Sequence, residues 1–299
     1  MLNFKNLDNE LIDIFDSLFD KRISKNAGNS PANLFAYNFI YPCEYLFEQD
    51  TLIIRIHLQN DSCLCYYEPI GKKTIKDYLP LIEQDAKDNS YCFSFILENK
   101  ENTDYLAQQG YKVEYSDNLS EYVYLRESLQ NLTGKKLQAK RNHINKFVSL
   151  YPSWEFVALN KEDKQKCLEL TDTWFQQEMN ISPQFKQDYQ TEKKVIEYLF
   201  DNFEKLHLFA GAIFVGGQPV AYSIGSFVCK DTFDTNIEKA DRRFEGAYTL
   251  INREIAKHLP NEIIYINREE DKGIEGLRKA KHSYHPIFMV EKYMVYKYE

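Results

Sequence analysis

Apolar and polar positions change rhythm several times along this chain. Residues 45–71 (YLFEQDTLIIRIHLQNDSCLCYYEPIG) alternate, with a turn at Gln59–Ser62, and this predicts antiparallel strands. Residues 72–89 follow at helical period. Then come a strand at 91–98, a short helix at 102–110 and a strand pair at 111–117 and 122–127. A second set repeats the order. Residues 206–241 read as a meander with Gly216–Gly217 as a hairpin turn, and 245–260 as a helix that ends before Pro260. A strand at 263–270, a short helix at 273–284 and a closing strand at 286–296 complete it. A strand at 154–160 and helices at 161–177 and 191–206 precede this second meander.

Meander, helix, strand, helix, strand therefore occurs twice, at a period of about 150 residues, which predicts a duplicated domain rather than a solenoid. The division falls near Leu129–Thr133, giving a first domain over 1–130 and a second over 131–299. The fold class is α/β (α+β), with a mixed, largely antiparallel sheet in each domain. A chain of 299 residues exceeds one ordinary core, in keeping with that division. Its 22 Tyr and 20 Phe supply ample core, and only 11 Gly and 9 Pro argue against disordered linkers.

The N-terminal MLNFKNLDNELIDIF holds acids where a secretory signal is basic and then apolar. The longest nearly apolar run, 207–215, is far short of the roughly 20 residues that cross a bilayer. A soluble, cytoplasmic protein without a transmembrane segment is expected. The six cysteines show no CxxC and no metal spacing, so buried free thiols in a reducing compartment are expected. Cys63 and Cys65, two apart on a strand, face one side. His282-x-x-His285 is followed by Pro286 and has no third ligand at a suitable spacing, which argues against a metal. No Gly-x-Ser-x-Gly elbow, phosphate loop or dinucleotide fingerprint occurs.

Charge changes the picture. Against a formal net charge of -8, residues 128–154 contain no acid, and TGKKLQAKRNHINKF (133–147) carries Lys135, Lys136, Lys140, Arg141, His143 and Lys146. At helical spacing Leu137, Ile144 and Val148 form an apolar stripe. Lys136, Lys140 and His143 form a second column, and Lys135, Asn142 and Lys146 a third. Arg141 falls beside the apolar stripe and calls for a carboxylate or carbonyl partner. Like charges four apart weaken a helix. The segment therefore either packs against an acidic neighbour such as 161–178 or contacts phosphate, in tRNA or an anionic headgroup.

In KDTFDTNIEKAD (230–241) alternation puts Phe233, Thr235 and Ile237 on one face and Asp234, Asn236 and Glu238 on the other. Three polar residues in register suit a solvated edge or a wet cleft. In a cleft, Glu238 is a general base or amine-orienting carboxylate, because acylating an amine requires removal of its proton.

Three segments carry a family resemblance: GKKLQAKRNHINKF, NIEKADRRFEGAYTLINREIA and YINREEDKGIEGLRKAKHSYHP. With the element order, they resemble the soluble family named for the C-terminal domain of phosphatidylglycerol lysyltransferase. That family is similar to Fem-type aminoacyl-tRNA transferases, and each half to the GNAT acyltransferases. LAQQGYKVEY (106–115) is similar to the closing helix-to-strand turn of that superfamily. The resemblance implies a tandem GNAT-like fold. It implies acyl transfer, most simply of an aminoacyl group from aminoacyl-tRNA, to an amine, a hydroxyl or a lipid headgroup.

By the same resemblance Glu238 assists deprotonation, while Lys281 and Arg278 stabilise the oxyanion or a nearby phosphate. Asn236, Asn267, Arg268, Glu269, Asp271, Gly273, Gly276 and Tyr284 would line the substrate site, the two glycines permitting close approach. Lys135, Lys136, Lys140, His143 and Lys146 would touch the tRNA backbone. Arg243-x-x-Gly246-Ala247-Tyr248 stands where acetyltransferases grip the CoA pyrophosphate at a helix N-terminus, although Tyr248 replaces a small residue. An acyl-CoA-dependent N-acetyltransferase is thus the alternative donor reading. A third reading is a non-catalytic binding protein that keeps the GNAT fold.

Overall fold

The computed structural model describes residues 2–58, 63–179 and 186–297; the turn expected at Gln59–Ser62 lies outside them. In the first part of the chain the strands are β1 (Lys5–Asn6), β2 (Cys43–Glu48), β3 (Thr51–His57), β4 (Cys63–Tyr67), β5 (Ile70–Gly71), β6 (Cys92–Leu97), β7 (Lys112–Tyr115) and β8 (Glu121–Leu125). The helices there are α1 (Asn9–Leu18), α2 (Pro31–Tyr37), α3 (Ile75–Asn89) and α4 (Lys100–Gln108). Then follow α5 (Arg126–Asn131), α6 (Gln138–Leu150), β9 (Glu155–Ala158), α7 (Lys164–Met179) and α8 (Lys186–Asp201). The meander is β10 (Phe209–Val215), β11 (Gln218–Cys229) and β12 (Thr232–Ala240). Last come α9 (Ala247–His258), β13 (Tyr265–Asn267), α10 (Glu275–His282), β14 (Phe288–Val290) and β15 (Tyr293–Tyr296).

Most of the expected elements form near where the patterns place them, but the helix expected at 191–206 spans Lys186–Asp201. Gly216 and Gly217, both at positive φ, make the two-residue turn that joins Val215 to Gln218. α3 starts at a capping box, Thr74 with Asp77. Its Ile75, Tyr78, Leu79 and Ile82 lie on Tyr66, Phe95 and Leu97, giving an aromatic-rich core.

Pairing departs from the expected order at the ends of both halves. One sheet runs β1-β2-β3-β4-β6-β15-β7, with β5 beside β3, and the other β14-β8-β13-β12-β11-β10-β9. The segments 111–117 and 122–127, expected to pair with each other, do not. β7 pairs with β15 and β8 with β13. The single closing strand expected at 286–296 is two strands, and they belong to different sheets. Between them Lys292 is buried and joined to Glu121 at 2.9 Å, so the chain turns inward there. The two compact units follow this exchange. One comprises Met1–Tyr122, Glu270–Glu275 and Met289–Glu299, the other Val123–Glu269 and Gly276–Phe288.

The expectation of six free thiols is corrected in part. Cys63 and Cys92 face each other across the parallel β4–β6 pair, with Cα atoms 4.5 Å apart, and form a disulfide. Cys43, Cys65, Cys167 and Cys229 are free and buried.

Just beyond β4, Glu68 accepts from the N–H groups of Glu98 and Asn99 and from the Asn102 amide. Burial pushes its acid up from 4.5 to about 7, against those hydrogen bonds. A folded-state value above the unfolded one means that Glu68 favours folding below its unfolded value and loses that contribution as pH rises through about 7. Stability should therefore fall between about pH 5 and about pH 8, and Glu68→Gln should remove roughly 1–2 kcal/mol of that fall. Unfolding midpoints of the two proteins across this range test it; parallel curves would contradict the assignment.

Candidate active site

Strand pairing sets the position of the site. In the first sheet β4 and β6 are paired along all of β4, from Cys63↔Cys92 to Tyr67↔Ile96. In the second, β12 and β13 run parallel through Thr232↔Tyr265, Phe233↔Ile266 and Asp234↔Asn267 only, while β12 continues to Ala240. Past Asp234 one side of β12 has no neighbouring strand among the described residues, and side chains must fill the opening. β12 lies between β11 and β13, so its polar face belongs to a central strand rather than to a solvated edge.

Glu238 projects at this opening. Its Oε1 accepts from Arg268 Nη2 at 2.8 Å and its Oε2 from Asn252 Nδ2 of α9 at 3.3 Å. Arg268 leaves the end of β13 and lies over the rings of Tyr284 and Tyr124, at 5.0 and 5.9 Å from their centroids. Lys281 of α10 is buried and donates to the carbonyls of Arg268 and Glu269 at 2.6 and 3.0 Å. Its carbonyl in turn accepts from the Tyr124 hydroxyl at 2.8 Å. Lys281 therefore fixes the backbone from which Arg268 reaches Glu238. Asn236 donates to Asp234 at 2.8 Å, and Asn267 is fully buried and accepts from the Glu269 N–H at 2.7 Å. Three buried polar atoms around the pair have no hydrogen-bond partner among the described residues: Arg268 Nη1, Asn252 Oδ1 and Ser223 Oγ. Ser223 stands directly opposite Glu238 in the β11–β12 register. Such atoms are costly unless a ligand engages them.

The basic segment divides. The helix begins at Gln138, so Lys135 and Lys136 precede it: Lys136 does not share the expected column with Lys140 and His143, nor Lys135 the one with Asn142 and Lys146. Gly134 at φ +81° and Leu132 at φ +49° turn the chain before α6, and Arg141 donates to both of their carbonyls, the partner class its position called for. Leu137, Ile144 and Phe147 are buried, whereas Val148 is exposed. Lys135 and Lys136 are exposed. His143 and Lys146 both approach Glu245. Lys140 turns inward, its Nζ 3.9 Å from the Tyr284 ring centroid. Burial, reinforced by Arg268 and opposed by Glu238, lowers its ammonium to about 8.

The other expected residues lie as follows. Arg278 is half-buried on α10. Arg243 is bound by Asp241, its Nε 2.9 Å from Oδ2. Asp271 and Gly273 belong to the first unit, where Asp271 accepts from Tyr122 and from the Gly273 N–H. Sequence reasoning missed Tyr124 and Asn252 altogether. Asn252 had one signal, a polar residue on the buried face of α9 beside Ile251 and Ile255.

Two sheets of one strand order along a single chain, the second opened between its fourth and fifth strands, define a tandem GNAT-like acyltransferase fold. The family model described as phosphatidylglycerol lysyltransferase, C-terminal, matches residues 21–296, and the chain belongs to that family. A conserved protein of unknown function from Bacteroides thetaiotaomicron is 34% identical over 100% of both chains, with a TM-score of 0.91. The structure of L-PGS from Bacillus licheniformis is 14% identical, covers 98% of this chain and 93% of that one, and has a TM-score of 0.65, a likeness of fold. An uncharacterized protein from Mycoplasmoides gallisepticum is 25% identical over 176 residues, 58% of this chain and only 55% of that protein's length. Among the described residues, no helix is long and apolar enough to cross a membrane.

Two of the glycines among the expected site residues, Gly246 of the CoA-type loop and Gly276 of the close-approach pair, differ. A Cβ on Gly246, at φ +95°, would stand 2.4 Å from the His143 carbonyl oxygen, so Gly246 lets α6 close on this loop. A Cβ on helical Gly276 would meet nothing within 4 Å. Gly246→Ala should lower stability by about 2 kcal/mol. Gly276→Ala should be neutral or stabilising by up to about 1 kcal/mol. Thermal unfolding of both variants measures this, and equal effects would contradict the packing described.

Proposed function

We propose that the second half, 131–299, transfers an aminoacyl group from aminoacyl-tRNA to an amine or hydroxyl acceptor at the β12–β13 opening. The observation that carries this reading is the part-buried Arg268–Glu238 pair, with an unengaged donor, Arg268 Nη1, on one side and the loosely held Glu238 Oε2 on the other. The acceptor's lone pair attacks the ester carbonyl carbon while Glu238 takes its proton. Arg268 Nη1 donates to the developing oxyanion, and Lys281 keeps that guanidinium aimed. The ester C–O bond then breaks and the tRNA 3′-hydroxyl leaves with a proton. Asn236, Asn267 and Tyr284 shape the site around these atoms, and Arg278 on α10 stands as a phosphate contact. The acceptor is a small molecule or a lipid headgroup, in keeping with the lysyltransferase description of the family.

Two further features favour tRNA over acyl-CoA as donor. Lys135 and Lys136 are exposed cations in an acid-free segment, suited to a nucleic-acid backbone. The loop that would cradle a CoA pyrophosphate is instead occupied by protein, since Gly246 meets α6 and Arg243 is held by Asp241.

The test is titration with deacylated tRNA and with acetyl-CoA at two salt concentrations. Binding of tRNA should weaken as salt rises, and Lys135→Glu with Lys136→Glu should reduce the log–log salt slope by roughly 2. Binding of acetyl-CoA without tRNA, or an unchanged slope in the double variant, would contradict the tRNA reading.

A further inference from the structure

The lysines at 135–146 provide an internal comparison. Lys135 and Lys136 are exposed, and Lys146 is paired with Glu245. Lys140 has neither environment. It is half-buried, lies against the Tyr284 ring, and has no carboxylate within ion-pair distance among the described residues. The charged groups acting on it are Arg268 and Glu238, and Arg268 already holds that carboxylate at 2.8 Å. Two cations thus compete for one anion in a partly dry place. Burial and Arg268 lower the ammonium to about 8 against the pull of Glu238, while Nζ stays 3.9 Å from the Tyr284 ring centroid. The result is a lysine with a substantial neutral fraction at the opening of an acyl-transfer site.

We propose that Lys140 is a nucleophilic amine and a modification site, acylated by activated esters or thioesters. The neutral amine attacks the acyl carbon, and a C–N bond forms as the donor C–O or C–S bond breaks. The amine proton departs with the released alcohol or thiol, so no further reactant is needed. The product is a neutral amide that no longer places a cation on Tyr284. This goes beyond the transfer reaction proposed above, because the acyl group stays on the protein.

The full chain is labelled with a trace of N-hydroxysuccinimidyl acetate from about pH 6 to about pH 11, and each lysine is quantified by peptide mass spectrometry. At about pH 7.5, an amine that titrates near 8 is about a quarter neutral, against about a thousandth for an ordinary lysine. A weaker base is also a weaker nucleophile, as thiols demonstrate, which leaves an advantage of roughly tenfold. Lys140 should therefore label about tenfold faster than Lys135 and Lys136; equal rates would overturn the proposal. Glu238→Gln removes the carboxylate that steadies the ammonium and should speed labelling of Lys140, and an unchanged rate in the folded variant would likewise overturn it. Charged tRNA alone and acetyl-CoA alone distinguish the two natural donors by the mass left on Lys140, and no adduct from either would overturn it as a native modification. The chemical label requires neither tRNA binding nor an acceptor, so its failure is read separately from failure of the transfer reaction.

Discussion

Two parallel strands that pair through only three residues leave an opening that the sequence must fill with side chains. β12 runs on past Asp234 while β13 ends at Asn267. The Arg268–Glu238 pair occupies that opening, and the other polar groups are arranged around it. Burying two charges is favourable only when each is well bonded. Lys281 fixes the backbone behind Arg268, Tyr124 and Tyr284 flank its guanidinium, and Asn252 approaches the second carboxylate oxygen. Arg268 Nη1, Asn252 Oδ1 and Ser223 Oγ stay without a partner among the described residues, and the proposed substrate would complete the cluster from that side.

The first sheet meets the same topological point differently. There β4 and β6 remain paired along β4, Cys63 and Cys92 join them covalently, and Glu68 gathers the backbone N–H groups that follow β6. One fold, used twice, is closed in one unit and open in the other. Fold alone does not give both halves one chemistry.

Side-chain alternation is a local property, so the meanders and the polar triplet Asp234, Asn236 and Glu238 are legible from sequence. The exchange of β8 and β15 is not, because either strand is apolar enough for either sheet and pairing partners are distant along the chain. The start of α6 is hidden for another reason. TGKKL fits a helical period, yet Gly134 and the reach of Arg141 to the Leu132 and Gly134 carbonyls make it a turn. That shift separates Lys140 from Lys136, so a residue expected on the phosphate-facing surface lies inside the site. Tyr124 gives no signal, since its importance arises from a strand that pairs far along the chain.

The most direct test of the Arg268–Glu238 opening as the transfer site is release of the amino acid from labelled aminoacyl-tRNA in a single turnover, with water as the acceptor. The wild-type protein should accelerate release above the spontaneous rate, and Glu238→Gln should remove roughly a hundredfold or more of that acceleration. Equal release by the two proteins, with both folded and both binding tRNA, would contradict the assignment of catalysis to this pair.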